Sequence, residues 1–474
     1  MSEQNLQQKL DAQANVVDFL RNQQVGPNTY PGVPAEYSNW RNEQKAWADS
    51  AVLFNQSYHM VELYVRGPEA LALLEYTAIN SMKNFAVNKA KQYVAVTPNG
   101  YVIGDEILFY LAENEFSLVG RAPALDWIEF HAQYPKPDGS KWDVTVERDE
   151  RTALRTDGVR KNYRFQLQGP NAMKILEKAM GQTPPDLKFF NMAHVGIGGK
   201  DVIALRHGMA GQPGYELFGP WADYKAVHAA LVEAGKDHGL TLVGGRAYSS
   251  NTLESGWLPS PLPSFYTDDC DMMKAFRSWA SGTSYAGMCS IGGSYVPDSI
   301  EGYYLTPWDI GYGHIVKFDH DFVGREALEK MKDQKHKQKV TLALDNEEVT
   351  RVMSSLFAEG GRAKYFEFPS AVYAMHPFDE VKMDGEVIGV STWIGYSSNE
   401  GKMLSLAMID PDKVEMGKEV TLVWGEPNGG TSKPTVEPHE QVEIKAIISP
   451  VPYSNVARDS YADSWRQTGV GANA

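Results

Sequence analysis

Apolar residues recur along this chain with two different periods. Leu6, Leu10, Val16, Val17 and Leu20 share one helical face, which predicts a helix over residues 5–22, ended by Gly26-Pro27-Asn28. Residues 38–50, with Trp40 and Trp47, read as a second helix, and residues 68–79 as a third begun by Pro68. Period-two segments predict strands at 51–54 and 61–65. Two hairpins follow, 93–96 with 101–103 around Pro98-Asn99-Gly100, and 107–110 with 115–119. Residues 142–163 are charged and read as irregular. A strand at 164–167 leads into a helix over 171–180. Tyr224, Val227, Leu231 and Ala234 are spaced as a scaffold helix with Gly235 past its end. Residues 258–305 are rich in Pro, Ser and Tyr with little periodicity, which reads as a binding loop or lid.

Beyond the charge-dense stretch 329–339 the pattern changes to short β-forming runs. These lie at 339–344, 371–374, 386–393, 404–408, 419–424 and 442–448, and predict a small β-barrel. The expected fold class is therefore α+β. Residues 1–335 form a core of two interleaved α+β domains, with the 258–305 stretch inserted, and residues 336–474 form the barrel domain.

Composition narrows the partners. A length of 474 residues allows ~3 domains. A net charge of −15 argues against a nucleic-acid or membrane-surface role, and means that an anionic substrate must be held by a few local cations. Cys270 and Cys289 are too far apart for a metal-binding or redox pair, so no metal site and no disulfide scaffold are expected. Reduced thiols, a polar N-terminus without a signal-like apolar segment, and no apolar run near ~18 residues point to a cytoplasmic protein. The 24 Tyr and 11 Trp serve either flat aromatic ligands or core packing. Oligomeric state is not encoded in any pattern here.

The most informative stretch runs from Arg206 to Trp257. RHGMAGQPGYELFGP reads as a strand, a Gly-rich bend and a second strand, and Gly211 permits a tight turn. Glu216 points away from the face used by Tyr215 and Leu217. It is either an exposed strand carboxylate or a partner for an N–H-rich heterocycle. Tyr30, before Pro31, is held extended and either packs on a neighbour or overhangs a pocket. His59 is either a structural histidine or, with Gln56, a source of donors and acceptors for phenol and methoxyl oxygens. Arg121, between a strand and Ala122-Pro123, either pairs with a nearby acid or forks onto a substrate carboxylate.

GMAGQPGYELFGP, Leu253-Glu254-Ser255-Gly256, Asp309-Ile310-Gly311-Tyr312-Gly313 and Asp321-Phe322-Val323-Gly324-Arg325 resemble motifs of the glycine-cleavage T-protein family, the aminomethyltransferases. RHGMAG, SNTLESGW, KFDHDF and the WGE…NGGT…TVEPH…ISPVPYS tail are similar to the tetrahydrofolate-dependent aromatic O-demethylases of vanillate and syringate type within it. The resemblance implies a T-protein-like folate-binding fold with its barrel closing one side of the folate channel. It implies that Glu216 fixes the pterin N–H groups, that Gln166 touches pterin or substrate, and that Phe189 walls the pterin. Gly104 stands where that family begins a pair of aspartates, one of them catalytic in aminomethyl transfer, so the resemblance points to a different donor. Relative to T-proteins, residues 258–305 look like an insertion that sets aromatic specificity.

Chemistry then assigns roles. Methyl transfer from an aryl ether to tetrahydrofolate needs alignment of nucleophile, methyl and ether oxygen, and a donor to the oxygen that gains charge. A tyrosine matches the leaving phenol in acidity. Tyr248 is the first choice and Tyr30 the second, although Tyr248 also reads as a buried loop tyrosine. His59 and Gln56 orient ring substituents, Arg121 holds a ring carboxylate, and Trp257 packs in the shared pocket. The expected reaction converts a vanillate-, syringate- or 3-O-methylgallate-type substrate and tetrahydrofolate into a phenol and 5-methyltetrahydrofolate. The alternatives are aminomethyl or other one-carbon transfer to tetrahydrofolate, and a non-enzymatic folate-binding protein.

Overall fold

A computed structural model describes residues 4–25, 30–155, 157, 159–209, 211–259 and 261–459. Asn28 and its neighbours 26–29 lie outside them. Two sheets and a barrel carry the architecture. The first sheet has six strands, in the order Leu240–Val243, Ala51–Asn55, Asn162–Gln168, Gly214–Pro220, Lys200–Arg206 and Met192–Ile197; only the first pair is parallel. The second has five antiparallel strands, in the order Ala90–Val96, Val102–Ala112, Glu115–Gly120, Val61–Arg66 and Thr145–Asp149. The chain leaves the first sheet at Asn55 and enters the second at Val61, so the two sheets alternate along the sequence. This also places Gln56 and His59 at their junction.

Alternation decides which face of the first sheet is core. Leu53, Phe165, Leu167, Tyr215 and Leu217 are buried together against the helices Ala172–Met180 and Tyr224–Gly235. Phe54, Gln166 and Glu216 therefore face the other way, and they are direct cross-strand partners in one row.

Several boundaries differ from the sequence pattern. The N-terminal helix is broken into Leu6–Asp11 and Val16–Arg21, because the Asn15 side chain accepts from the Val17 and Asp18 amides and starts a new helix. The segments at 101–103 and 107–110 belong to one long strand, Val102–Ala112, so Gly104 and Asp105 lie inside a strand rather than between hairpins. The charged stretch 142–163 contains the edge strand Thr145–Asp149.

The described residues of 258–305 contribute to the hydrophobic core rather than forming a free loop. Leu262, Phe265, Met273 and Phe276 are fully buried, and Phe276 packs on Trp127 of the helix Ala122–Gln133 at 5.3 Å between ring centroids. Many of the segment's apolar residues pack in the core, which holds Tyr285 and its neighbours in place.

The barrel is closed, in the order Gln338–Leu344, Lys402–Ile409, Glu386–Ser397, Asp379–Met383, Glu419–Trp424 and Val442–Ser449. Its interior alternates, with Val340, Leu342 and Leu344 facing Ile444, Ala446 and Ile448. Asp379–Met383 supplies the strand expected at 371–374, which is irregular. The strand Glu386–Ser397 is bulged between Thr392 and Ile394, and Trp393 there has a φ of +53°.

Candidate active site

The row through the first sheet is polar at its centre. Glu216 is 3 % exposed, which removes the reading of it as an exposed strand carboxylate. One oxygen pairs with Arg164, and the other lies 3.7 Å from Nδ1 of His207. Arg164 also reaches Glu62 of the second sheet at 3.1 Å, and its guanidinium lies over the Phe109 and Phe218 rings. The two sheets are thus joined by a buried carboxylate–guanidinium–carboxylate bridge. Gln166 donates Nε2–H to the His207 carbonyl at 2.8 Å, while its buried Oε1 has no partner among the described residues. Phe189 stacks on Phe190 at 4.2 Å, and Phe190 stacks on His207 at 5.4 Å. Gln166, Glu216 and the Phe189–Phe190 pair thus meet around His207.

Tyr30, His59 and Tyr248 come together from three distant segments. Their ring centroids are 4.8 Å (Tyr30–His59), 4.7 Å (Tyr30–Tyr248) and 5.0 Å (His59–Tyr248) apart. Tyr248 ends the short helix Gly245–Tyr248, which the bend at Gly244 starts. Gly245 lies under the Tyr30 ring, where an added Cβ would sit 3.2 Å from Cδ2. Gln56 donates to the Tyr248 hydroxyl oxygen at 3.2 Å, and its Nε2 also lies 3.0 Å from the Met209 sulfur. The buried Oε1 of Gln56 and Nδ1 of His59 have no partner among the described residues.

Burial sets the protonation states here. It pushes the Tyr30 hydroxyl up to about 12, offset in part by Arg121. It raises Tyr248 further, with Tyr30 adding to the effect. Burial, then the charges of Arg121, Arg160 and Arg151, lower His59 to about 3. At neutral pH the three rings are two neutral phenols and a neutral imidazole.

Arg121 is the N-cap of the helix Ala122–Gln133. Among the described residues its side chain makes no ion pair within 4.0 Å, and the acid that acts on it is the buried Glu106 carboxyl of the neighbouring strand, through charge rather than a direct pair. Its NH1 donates to the Tyr285 hydroxyl oxygen at 3.1 Å, and its guanidinium lies 5.8 Å from the Trp393 ring centroid. Its charge acts on Tyr30 and His59, which places a cation beside the aromatic cluster.

Trp257 is anchored on the second sheet. It is 40 % exposed, and its indole N–H donates to Oδ2 of buried Asp105 at 3.1 Å. The same oxygen accepts from Gln92 at 2.7 Å and Tyr312 at 2.9 Å, and burial raises the Asp105 carboxyl. Trp257 is thereby tied to Asp105 of the second sheet, while Tyr30, His59 and Tyr248 form the aromatic cluster with Arg121 acting on it.

Sequence reasoning missed Arg164, Met209, Tyr285 and Trp393. The alternation that turns Gln166 away from Phe165 and Leu167 also turns Arg164 the same way, so that residue was legible. The other three depend on long-range packing.

The chain's fold is like that of the glycine cleavage system aminomethyltransferase T from Bartonella henselae, with a TM-score of 0.59 over 91% of this chain and 94% of that one, at 19% identity. The model of the GCVT N-terminal domain matches residues 7–260, and the chain belongs to that family. It is 72% identical to the syringate O-demethylase of Sphingobium sp., over 98% of each chain. It is 31% identical to the sesamin methylene transferase of Sinomonas sp., over 91% of this chain and 92% of that one, and 28% identical to an aminomethyltransferase of Streptomyces avermitilis, over 80% and 83%. The protein is a folate-dependent methyltransferase.

Proposed function

We propose that this methyltransferase removes the O-methyl group of a methoxylated aromatic carboxylate, with tetrahydrofolate as acceptor, and that syringate is its substrate. One observation carries the reading. The Arg121 guanidinium, which makes no direct ion pair among the described residues, stands beside two neutral phenols and a neutral imidazole. A benzoate carboxylate satisfies the first, and a phenolic ether the others. The syringate O-demethylase that is 72% identical to this chain supports the choice of substrate.

Tetrahydrofolate supplies N5 as the nucleophile toward the methyl carbon. The unpartnered Oε1 of Gln166, the second oxygen of Glu216 and the Phe189–Phe190 wall suit an N–H-rich flat heterocycle. The exposed indole of Trp257, fixed through Asp105, would pack on the same ligand.

In the aromatic pocket the residues act in order of geometry. Arg121 holds the carboxylate and so fixes the ring. Gln56 occupies a lone pair of the Tyr248 oxygen, which leaves the Tyr248 O–H to point at the ether oxygen. That oxygen gains charge as its bond to the methyl carbon breaks, and Tyr248 stabilises it by donation in a site with little water. Tyr30 and His59, both neutral, pack against Tyr248 and position the ring oxygens. Aminomethyl transfer is disfavoured, because Gly104 faces Pro123 and Ala124 where a carboxylate would be needed.

The test is anaerobic incubation with tetrahydrofolate and a panel of syringate, vanillate and 3-O-methylgallate, with both products measured by mass spectrometry. The reading expects syringate to have the highest kcat/KM. Folate binding with no turnover of any of them would overturn it.

A further inference from the structure

Arg121 meets two residues that lie outside the row and the aromatic cluster. Tyr285 belongs to the 258–305 segment, at the start of the helix Tyr285–Met288. Trp393 belongs to the barrel. Neither is near Arg121 in sequence. The Tyr285 oxygen accepts from Arg121 NH1, and its hydroxyl lies 3.4 Å from Nε2 of His376, itself 2 % exposed. His376 pairs in register with Ile291 in a short parallel bridge, which ties the segment to the approach to the barrel.

Trp393 is held in an unusual way. Its φ of +53° is a left-handed conformation that a bulky side chain rarely adopts, and it sits at the single bulge of its strand against Lys402–Ile409. The bulge turns the indole out of the ladder. The ring centroid lies 5.8 Å from the Arg121 guanidinium, and Nε1–H donates to the Ser249 carbonyl at 3.0 Å, next to Tyr248.

We propose that Tyr285 and Trp393 are positioning residues that fix the Arg121 guanidinium for a ring carboxylate. Through Ser249, Trp393 also sets that anchor at a constant distance from Tyr248. The inference rests on the reading of Arg121 as the carboxylate anchor and goes beyond it. The inserted segment and the barrel then act on specificity through one arginine rather than by touching the reacting methyl group.

The test uses the full chain, saturated with tetrahydrofolate, and two substrates: syringate and 2,6-dimethoxyphenol, the same ring without its carboxylate. Tyr285→Phe is expected to raise the KM for syringate about tenfold, as for loss of a hydrogen bond to a charged group. The KM for 2,6-dimethoxyphenol and kcat on syringate should change less than about twofold, since the phenol never uses the anchor. Trp393→Leu should do the same to the KM and also lower kcat. Trp393→Phe keeps a ring over the guanidinium and should keep the syringate KM. In an Arg121→Ala background, Tyr285→Phe should add nothing.

Equal KM shifts on both substrates, or an undiminished effect of Tyr285→Phe without Arg121, would overturn the inference. If Arg121→Ala itself weakens both substrates alike, the anchor reading fails and this inference falls with it. If Arg121→Ala is selective and Tyr285→Phe is silent, only the inference fails. Should Trp393→Leu not fold, the two phenylalanine variants and the Arg121 background decide.

Discussion

The rings of Tyr30 and Tyr248 lie 4.7 Å apart between centroids and are tilted by 57°, with the His59 imidazole against both. Tyr248 alone of the pair accepts from Gln56, so its hydroxyl hydrogen is the one directed away from that amide. Tyr248→Phe is expected to slow methyl transfer by about 10²–10⁴, the usual range for a lost proton donor. The dissociation constant for tetrahydrofolate should stay within about twofold. Single-turnover rates and folate titration separate the two. Tyr30→Phe should cost less, because Tyr30 packs and orients while Tyr248 donates.

Arg121→Ala is expected to raise the KM for benzoate substrates by about ten- to a hundredfold, as for loss of a charge-assisted pair. Methoxyphenols without a carboxylate should be nearly unaffected. Steady-state kinetics on matched acid and neutral substrates checks this.

The Glu62–Arg164–Glu216 bridge has a structural role and a binding role, and two variants divide them. Arg164→Ala leaves two buried carboxylates without their cation and should destabilise the protein by about 3–5 kcal/mol. Glu216→Gln keeps shape and volume. It should weaken tetrahydrofolate binding at least about tenfold while shifting the urea midpoint much less.

His59 gives a pH dependence of definite sign. Burial and nearby arginines hold its folded value at about 3, below the ordinary 6.5. Between these values the unfolded chain binds a proton that the folded chain does not. The contribution of His59 to stability is thus present above about pH 6.5 and lost as pH falls toward 3. Urea midpoints at pH 7.5 and 5 should fall more for the wild type than for His59→Gln. The rate on syringate should show no inflection near 6.5 from this group.

Much of this was legible in one dimension. Alternation alone turned Gln166 and Glu216 to the same face, because a strand's side chains have a period of two. The barrel was legible from its short β-forming runs. The long-range groups were not. Tyr285 sits in a stretch without periodicity, and its core packing is visible only once Phe265 and Phe276 are seen beside Trp127. Trp393 fits the alternating pattern of its strand, and nothing in that pattern announces the bulge that turns it toward Arg121. The broken N-terminal helix was recoverable from Asn15, an N-cap residue inside an apolar stripe.

The methyl carbon is expected to pass intact from an aryl ether to the folate. The most direct measurement is one anaerobic turnover of syringate labelled with deuterium in its methoxyl groups, with unlabelled tetrahydrofolate, followed by mass spectrometry of both products. The expected product is 5-methyltetrahydrofolate carrying three deuteriums, in equal amount to the phenol formed. Demethylated product without label in the folate, or label distributed as formaldehyde, would contradict it.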